Sequence, residues 1–229
     1  MLNIEHFKNI HAGEPGWIVG NGPSLNEMDL RFLREKVNFC MNRICLGEKQ
    51  FGFTPRYYMV EDNFVAEDNS EEIDILPYTK FLPKDLEYCL SDGDNVCWIN
   101  FLRKYDDYPM FSDDASKVIF WGSTVTYLAI QVAFFMGCDP IYLIGVDFNY
   151  VVPGYADGPN ITSREADINH FHPDYFGNGK RWHHPRLDLV KPSYIEARRF
   201  IESRGRCIYN AGVGGKLTVF ERVDYLDVI

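Results

Sequence analysis

The chain has 229 residues, a formal charge of −10, 46% hydrophobic and 15% aromatic residues. That length and composition exclude a disordered segment and predict a single folded domain over residues 1–229. The acidic balance excludes broad nucleic-acid binding, which needs a basic footprint, so any phosphate ligand has to be held by local groups.

The first stretch, "MLNIEHFKNIHAGEPG", has no apolar core of the kind a secretory leader carries. A strand, "GWIVG", then runs into "NGPSL", where Gly20 and Gly22 remove the Cβ atoms that keep ligands from the main chain. A helix opening at Pro23 or Ser24 would aim unpaired N–H groups outward, so Gly20, Asn21, Gly22 and Ser24 are expected to cradle an anion. The plain alternative is a tight strand-to-helix turn, since GxGxS matches neither GxGxxG nor GxxxxGK[ST].

"VNFCMN" reads as a second strand, followed by Asn42 and Arg43, which suit a base or phosphate, or for Arg43 a surface acid. "RYYMVED" closes on Glu61 and Asp62, with Asn63 after them, a turn suited to a ribose hydroxyl or a magnesium ion. "NVCWIN" and "KVIFW" are two further strands. "STVTYLAIQVAFFMG" predicts a helix from about Ser123 to Met136 closed by Gly137, too short to cross a bilayer. The buried strand "PIYLIGVDF" carries Asp147 near its end, where a carboxylate needs donors or a ligand, or caps the next turn.

From Asn149 to Leu189 the periodicity breaks into a long polar and aromatic segment, read as a lid. Pro192 and Ser193 are predicted to open the next helix, Gly205 to close it, and "RCIYNAG" to form a strand after it. Alternating strands and helices predict a Rossmann-like α/β fold: a mostly parallel sheet with helices on both faces and a long lid loop over its ligand edge.

The lid holds His170, His172, His183 and His184. Their HxH and HH spacings match no zinc pattern, so no metal site is expected, and the group is better explained as including one general base. Six cysteines without a CxxC pair fit a reducing cytoplasm.

"IVGNGPSL", "MNR", "STVTYLAIQVAFFMG", "IYLIGVDF" and "YNAGVGGKL" resemble, from about Trp17 to Phe220, a superfamily with three known branches. These are the family 42 bacterial sialyltransferases, the motility accessory factor flagellin glycosyltransferases and the 6-hydroxymethylpterin pyrophosphokinase-like proteins. The resemblance implies a glycosyltransferase that moves a sialic-acid-like sugar from a CMP-activated donor to a glycan acceptor in surface-polysaccharide assembly. It implies that Asn21 and Ser24 lie against the donor's phosphate and ribose, and that Asn42 and Asp62 or Asn63 contact the nucleotide. Gly122, Ser123 and Thr124 correspond to the residues opening the family's long helix. Of two tyrosines that stabilise the departing phosphate, the second aligns with Tyr155, while the first position holds Asn149 with Tyr150 beside it. The family's base precedes the last helix, which makes His183 the first choice and His184, His172 and His170 the alternatives. No cofactor is required on this reading.

The pyrophosphokinase-like branch implies a different reaction, ATP-dependent pyrophosphate transfer to a hydroxymethylpterin-like alcohol. Magnesium would then be held by Glu61, Asp62 and Asp147, although no P-loop lysine is present to support ATP use. A binding module without turnover is the third class. Homo-oligomerisation and peripheral attachment to a membrane stay open.

Overall fold

The computed structural model describes residues 2–156 and 158–229. Its strands are β1 (Gly16–Val19), β2 (Val37–Met41), β3 (Tyr57–Met59), β4 (Thr79–Pro83), β5 (Val96–Ile99), β6 (Phe101–Leu102), β7 (Ile119–Phe120), β8 (Ile141–Ile144), β9 (Asn160–Thr162), β10 (Arg181–His183), β11 (Ile208–Asn210) and β12 (Glu221–Arg222). Eight of them form one sheet in the order β12-β11-β8-β1-β2-β3-β4-β5, with every neighbouring pair parallel. The chain winds from β1 through β2 to β5 on one side, then continues at β8 on the other. The order therefore reverses between β1 and β8, the place where sheets of this kind bind ligands beyond their carboxyl ends.

The helices are α1 (Glu48–Phe51), α2 (Asn63–Asp68), α3 (Ser70–Asp74), α4 (Val125–Phe135) and α5 (Leu187–Ser203). Alternate strand residues point to opposite faces. Ile18, Phe39, Tyr57 and Phe81 pack with α4 and α5, while Trp17, Val19, Cys40, Tyr58 and Leu82 pack with α1–α3 and the 3₁₀ turns Pro23–Glu27 and Leu30–Glu35. All residues of α4 are buried, which is what an all-round apolar helix requires. Thr124 caps it through Thr126 N (3.3 Å), and Gly137 follows it at φ +91°.

Four differences from the sequence expectations bear on this frame, and β12 is a further edge strand that the sequence did not mark. The helix expected at Pro23 is a 3₁₀ turn, Pro23–Glu27, followed by a second 3₁₀ turn that Asp29 caps by accepting from Arg31 N (3.2 Å). "KVIFW" contributes β7, which pairs with β6 in a separate two-stranded sheet and not with the main one. β4 was hidden by its flanking prolines and by Lys80, whose buried ammonium donates to Ile73 O (3.1 Å) and Asp74 O (2.9 Å). Finally, α5 begins at Leu187, so Pro192 lies inside it. The hydroxyls of Tyr108 (2.9 Å) and Ser193 (3.2 Å) supply donors to Leu189 O where the proline perturbs the helix.

One pH effect arises in this frame. His11 is buried with Nε2 2.8 Å from Tyr57 OH, and burial holds its imidazole below the ordinary value of 6.5. The unfolded chain therefore takes up the extra proton first, so this contribution to stability is complete above 6.5 and is lost as pH falls below it. The urea midpoint of the wild type is expected to fall more steeply than that of His11→Gln between about pH 7.5 and about pH 5.5. Glu61, which burial pushes up to about 7, acts in the opposite sense in both proteins, so the comparison isolates His11.

Candidate active site

A cavity of about 800 Å³ opens at the carboxyl ends of β1, β2, β3 and β8, beneath the lid. Gly20, Asn21, Gly22, Asn42, Asp62, Asn63, Ser123, Thr124, Asp147, Tyr150, His170, His183 and His184 all line it. Three lining residues, Asn42, Ser123 and Phe148, are non-glycines at φ +50°, +63° and +53°. Such strain is costly and concentrates where a site demands it.

Two main-chain amides of the glycine turn are taken up within the sheet. Gly20 N donates to Ile144 O and Gly22 N to Gly145 O, each at 2.8 Å. Ser24 is buried outside the lining; its N donates to Asp147 Oδ2 (2.9 Å) and its hydroxyl to Asp147 Oδ1. The half-buried Asp147 carboxylate has thus found its donors within the chain, and it ties the β1 exit to the β8 exit. What the turn offers the cavity is Asn21. Its Nδ2 is committed to Met41 O (3.2 Å) and its main-chain O accepts from Phe171 N (2.9 Å), while Oδ1 is buried without a partner. Asn42 Oδ1, beside it at the β2 exit, is likewise buried and unpaired. Both are amide oxygens, which can only accept hydrogen bonds, on residues that line the cavity.

At the β3 exit, Asp62 divides its two oxygens. Oδ1 caps α2, accepting from Phe64 N (2.8 Å) and Val65 N (3.2 Å), and Oδ2 accepts from His183 Nδ1 at 2.6 Å. The imidazole also lies flat on Phe64, with centroids 4.3 Å apart and planes 8° apart. The Asp62 hydrogen bond raises its pKa above the ordinary 6.5. With Nδ1 donating to the carboxylate, Nε2 is the atom left to take a proton.

The other histidines differ. His170 donates from Nδ1 to Asp167 Oδ2 (2.8 Å) and stacks on Tyr175 at 3.8 Å, which braces the lid from within. His184 is exposed, as His183 is, but has no carboxylate partner; its Nδ1 lies 3.3 Å from Pro185 O. His172 lies outside the lining, its Nδ1 accepting from Asp174 N (3.2 Å). Tyr155 is also outside it; its hydroxyl accepts from Arg164 N (3.1 Å) and its ring lies under the Arg164 guanidinium. Of the two tyrosines, then, only Tyr150 reaches the cavity.

The lid is a built element and not a plain loop. β9 and β10 form an antiparallel hairpin with Trp182 opposite Ile161, and Arg181 clamps it to Asp68 and Glu67 of α2. Arg43 holds the remainder, donating to Asp174 O (2.5 Å) and Tyr175 O (2.9 Å), and also to Glu72 Oε2 (3.2 Å). The surface-acid alternative for Arg43 is thus partly realised, together with lid anchoring.

Sequence reasoning missed Arg103, Lys104, Trp121 and Arg186, which line the outer end of the cavity. Arg103 pairs with the buried Glu61 at 2.9 Å. Glu61, Asp62 and Asp147 are each engaged by different groups, and no cluster of three or more His, Cys, Asp or Glu suited to a metal ion occurs among the described residues. No helix among these residues is long and apolar enough to cross a membrane.

Among solved structures, the MAf glycosyltransferase from Magnetospirillum magneticum AMB-1 is similar, with a TM-score of 0.54 and 16% identity over 98% of this chain. The chain spans 38% of that protein's length, and at that identity the likeness concerns the fold. No curated protein matches the chain. The sequence model described as 6-hydroxymethylpterin diphosphokinase MptE-like matches residues 1–152, which carry the glycine turn, the β2 and β3 exits, the start of α4 and Asp147. The chain belongs to the MptE-like family.

Proposed function

We propose that the chain is a glycosyltransferase that moves an acidic, sialic-acid-like sugar from a CMP-activated donor to a glycan acceptor, with His183 as general base. The observation that carries this reading is the His183–Asp62 pair facing a cavity at the carboxyl edge of the sheet, with Nε2 left to accept a proton. An acceptor hydroxyl loses its proton to Nε2 as its oxygen attacks the sugar carbon, and the nucleotide phosphate leaves from the opposite face. Asp62 stabilises the imidazolium that forms. Asn21 and Asn42 supply acceptors suited to ribose hydroxyls or an exocyclic amine. Ser123, Thr124 and Tyr150 supply donors for the charge on the departing phosphate, and the clamped lid excludes the water that would hydrolyse the donor.

A second reading, diphosphoryl transfer from ATP to a hydroxymethylpterin-like alcohol, is favoured by the description of the matched family model and by the aromatic lining of Trp121, Phe176 and Trp182. It uses the same base on a different donor. A thermal-shift panel of CMP, CDP, UDP, GDP and ATP, with and without magnesium, separates the two. CMP at a hundredfold excess over its Kd is expected to raise Tm by about 5–10 °C without magnesium. Stabilisation by ATP and magnesium alone would replace the first reading with the second.

A further inference from the structure

We infer that Arg103 is a positioning residue that fixes the exit of β3, and through it the Asp62 carboxylate, beneath the His183 ring; its catalytic meaning rests on the reading of His183 as the base. Arg103 follows β6, whose pairing with β7 and the Trp121 N to Leu102 O bond (3.0 Å) give it a rigid base. Its guanidinium packs over Phe101 at 5.0 Å and reaches two other segments. Nη1 donates to Glu61 Oε2 (2.9 Å) and Nη2 to Glu61 O (2.7 Å). Nε donates to Asp85 Oδ2 and Nη2 to Asp85 Oδ1 (3.3 Å), in the turn after β4.

The decisive contact is the one to Glu61 O. That carbonyl belongs to the planar peptide joining Glu61 to Asp62, so holding it fixes the plane from which Asp62 departs. The side chain is then held at its other end by the α2 amides and by His183. Glu61 is 6% exposed, and without a fork partner its carboxylate would be stranded, so the turn depends on Arg103 for burial as well as for direction. A lysine keeps the charge but not the fork, because one ammonium cannot serve a carboxylate, a carbonyl and a second carboxylate in this geometry.

Retaining the charge while removing the fork provides the test. The charged groups facing the His183 ring are Asp62 and Glu61 from the β3 exit and Arg103 from the small sheet, with Arg181 of its own strand lying over Phe64 at 4.6 Å. Glu61 in turn faces Arg103, Asp62 and His183. In a ¹H–¹⁵N titration of the full chain, Arg103→Lys is expected to move the His183 midpoint down toward the ordinary 6.5 as the Asp62 bond loosens. It should also lower kcat by about tenfold with KM within about twofold. Asp85→Asn, which keeps Arg103 and weakens one side of the fork, should shift the midpoint the same way by less, and it carries the test if Arg103→Lys does not fold. An unchanged or raised midpoint in the folded variant overturns the proposal, because charge alone would then suffice. If His183→Gln keeps full turnover while Arg103→Lys still lowers the midpoint, the base reading fails and the positioning role stands.

Discussion

Replacing His183 with glutamine is expected to lower turnover by about 10²–10⁴-fold while leaving nucleotide affinity within about threefold. The affinity should survive because the acceptors Asn21 and Asn42 lie at the β1 and β2 exits, whereas His183 belongs to the lid hairpin and is held at the β3 exit by Asp62 and the Phe64 ring. Glutamine keeps a donor for the carboxylate but has no atom that takes a proton near neutrality. Single-turnover rates and a direct nucleotide titration measure the two quantities separately. The wild-type rate should also rise with pH through a midpoint above 6.5, since the Asp62 bond keeps the ring protonated longer than a free imidazole and only the neutral ring accepts a proton. Full turnover in His183→Gln would move the base to His184.

Gly20→Ala is expected to cost about 3 kcal/mol, the upper part of the usual overpacking range, and to lower Tm by about 6–12 °C. A Cβ at Gly20 would stand 2.3 Å from Gly145 O and 2.8 Å from Gly145 C. Both are main-chain atoms at the exit of β8, so no side chain can turn aside; relief requires β1 and β8 to separate at the centre of the sheet. Gly20 N also donates to Ile144 O there, and the same shift would stretch that bond and the Ser24–Asp147 pairing. Gly177→Ala, whose Cβ would meet nothing closer than 3.4 Å at ordinary φ, should change stability by less than about 0.5 kcal/mol in the same urea and thermal measurements. Equal stability of the two variants would show that the β1 and β8 exits are not pressed together.

The elements legible in the sequence are those whose signal is local. β1, β3 and β8 are unbroken apolar runs, β2 is apolar but for Asn38, and α4 is apolar but for Thr126 and Gln131, with a threonine before it and a glycine after it. β4 escaped because its burial is completed by a lysine stem and bounded by prolines, features that read as a loop until the carbonyls receiving the ammonium are known. The lid hairpin escaped because Ile161 and Trp182 are apolar positions in an otherwise polar stretch. At the site, the residue types at the strand exits were legible, but their pairings were not. Ser24 and Asp147 meet across 123 positions, and Asp62 and His183 across 121, and no periodicity encodes either meeting. Arg103 was hidden for the opposite reason: in "FLRKYDDYP" it sits in a run of charges that resembles solvated surface.

The topology also bears on how the protein is made. β1 is a central strand whose two partners lie at different distances along the chain; β2 follows it closely, but the β8 edge must wait until Ile141–Ile144 have left the ribosome. Over that interval the nascent GWIV segment keeps one unpaired edge, and long-range parallel pairing of this kind is slow and leaves partly folded chains prone to associate. Slower translation between β2 and β8 is therefore expected to lengthen the exposure of that edge.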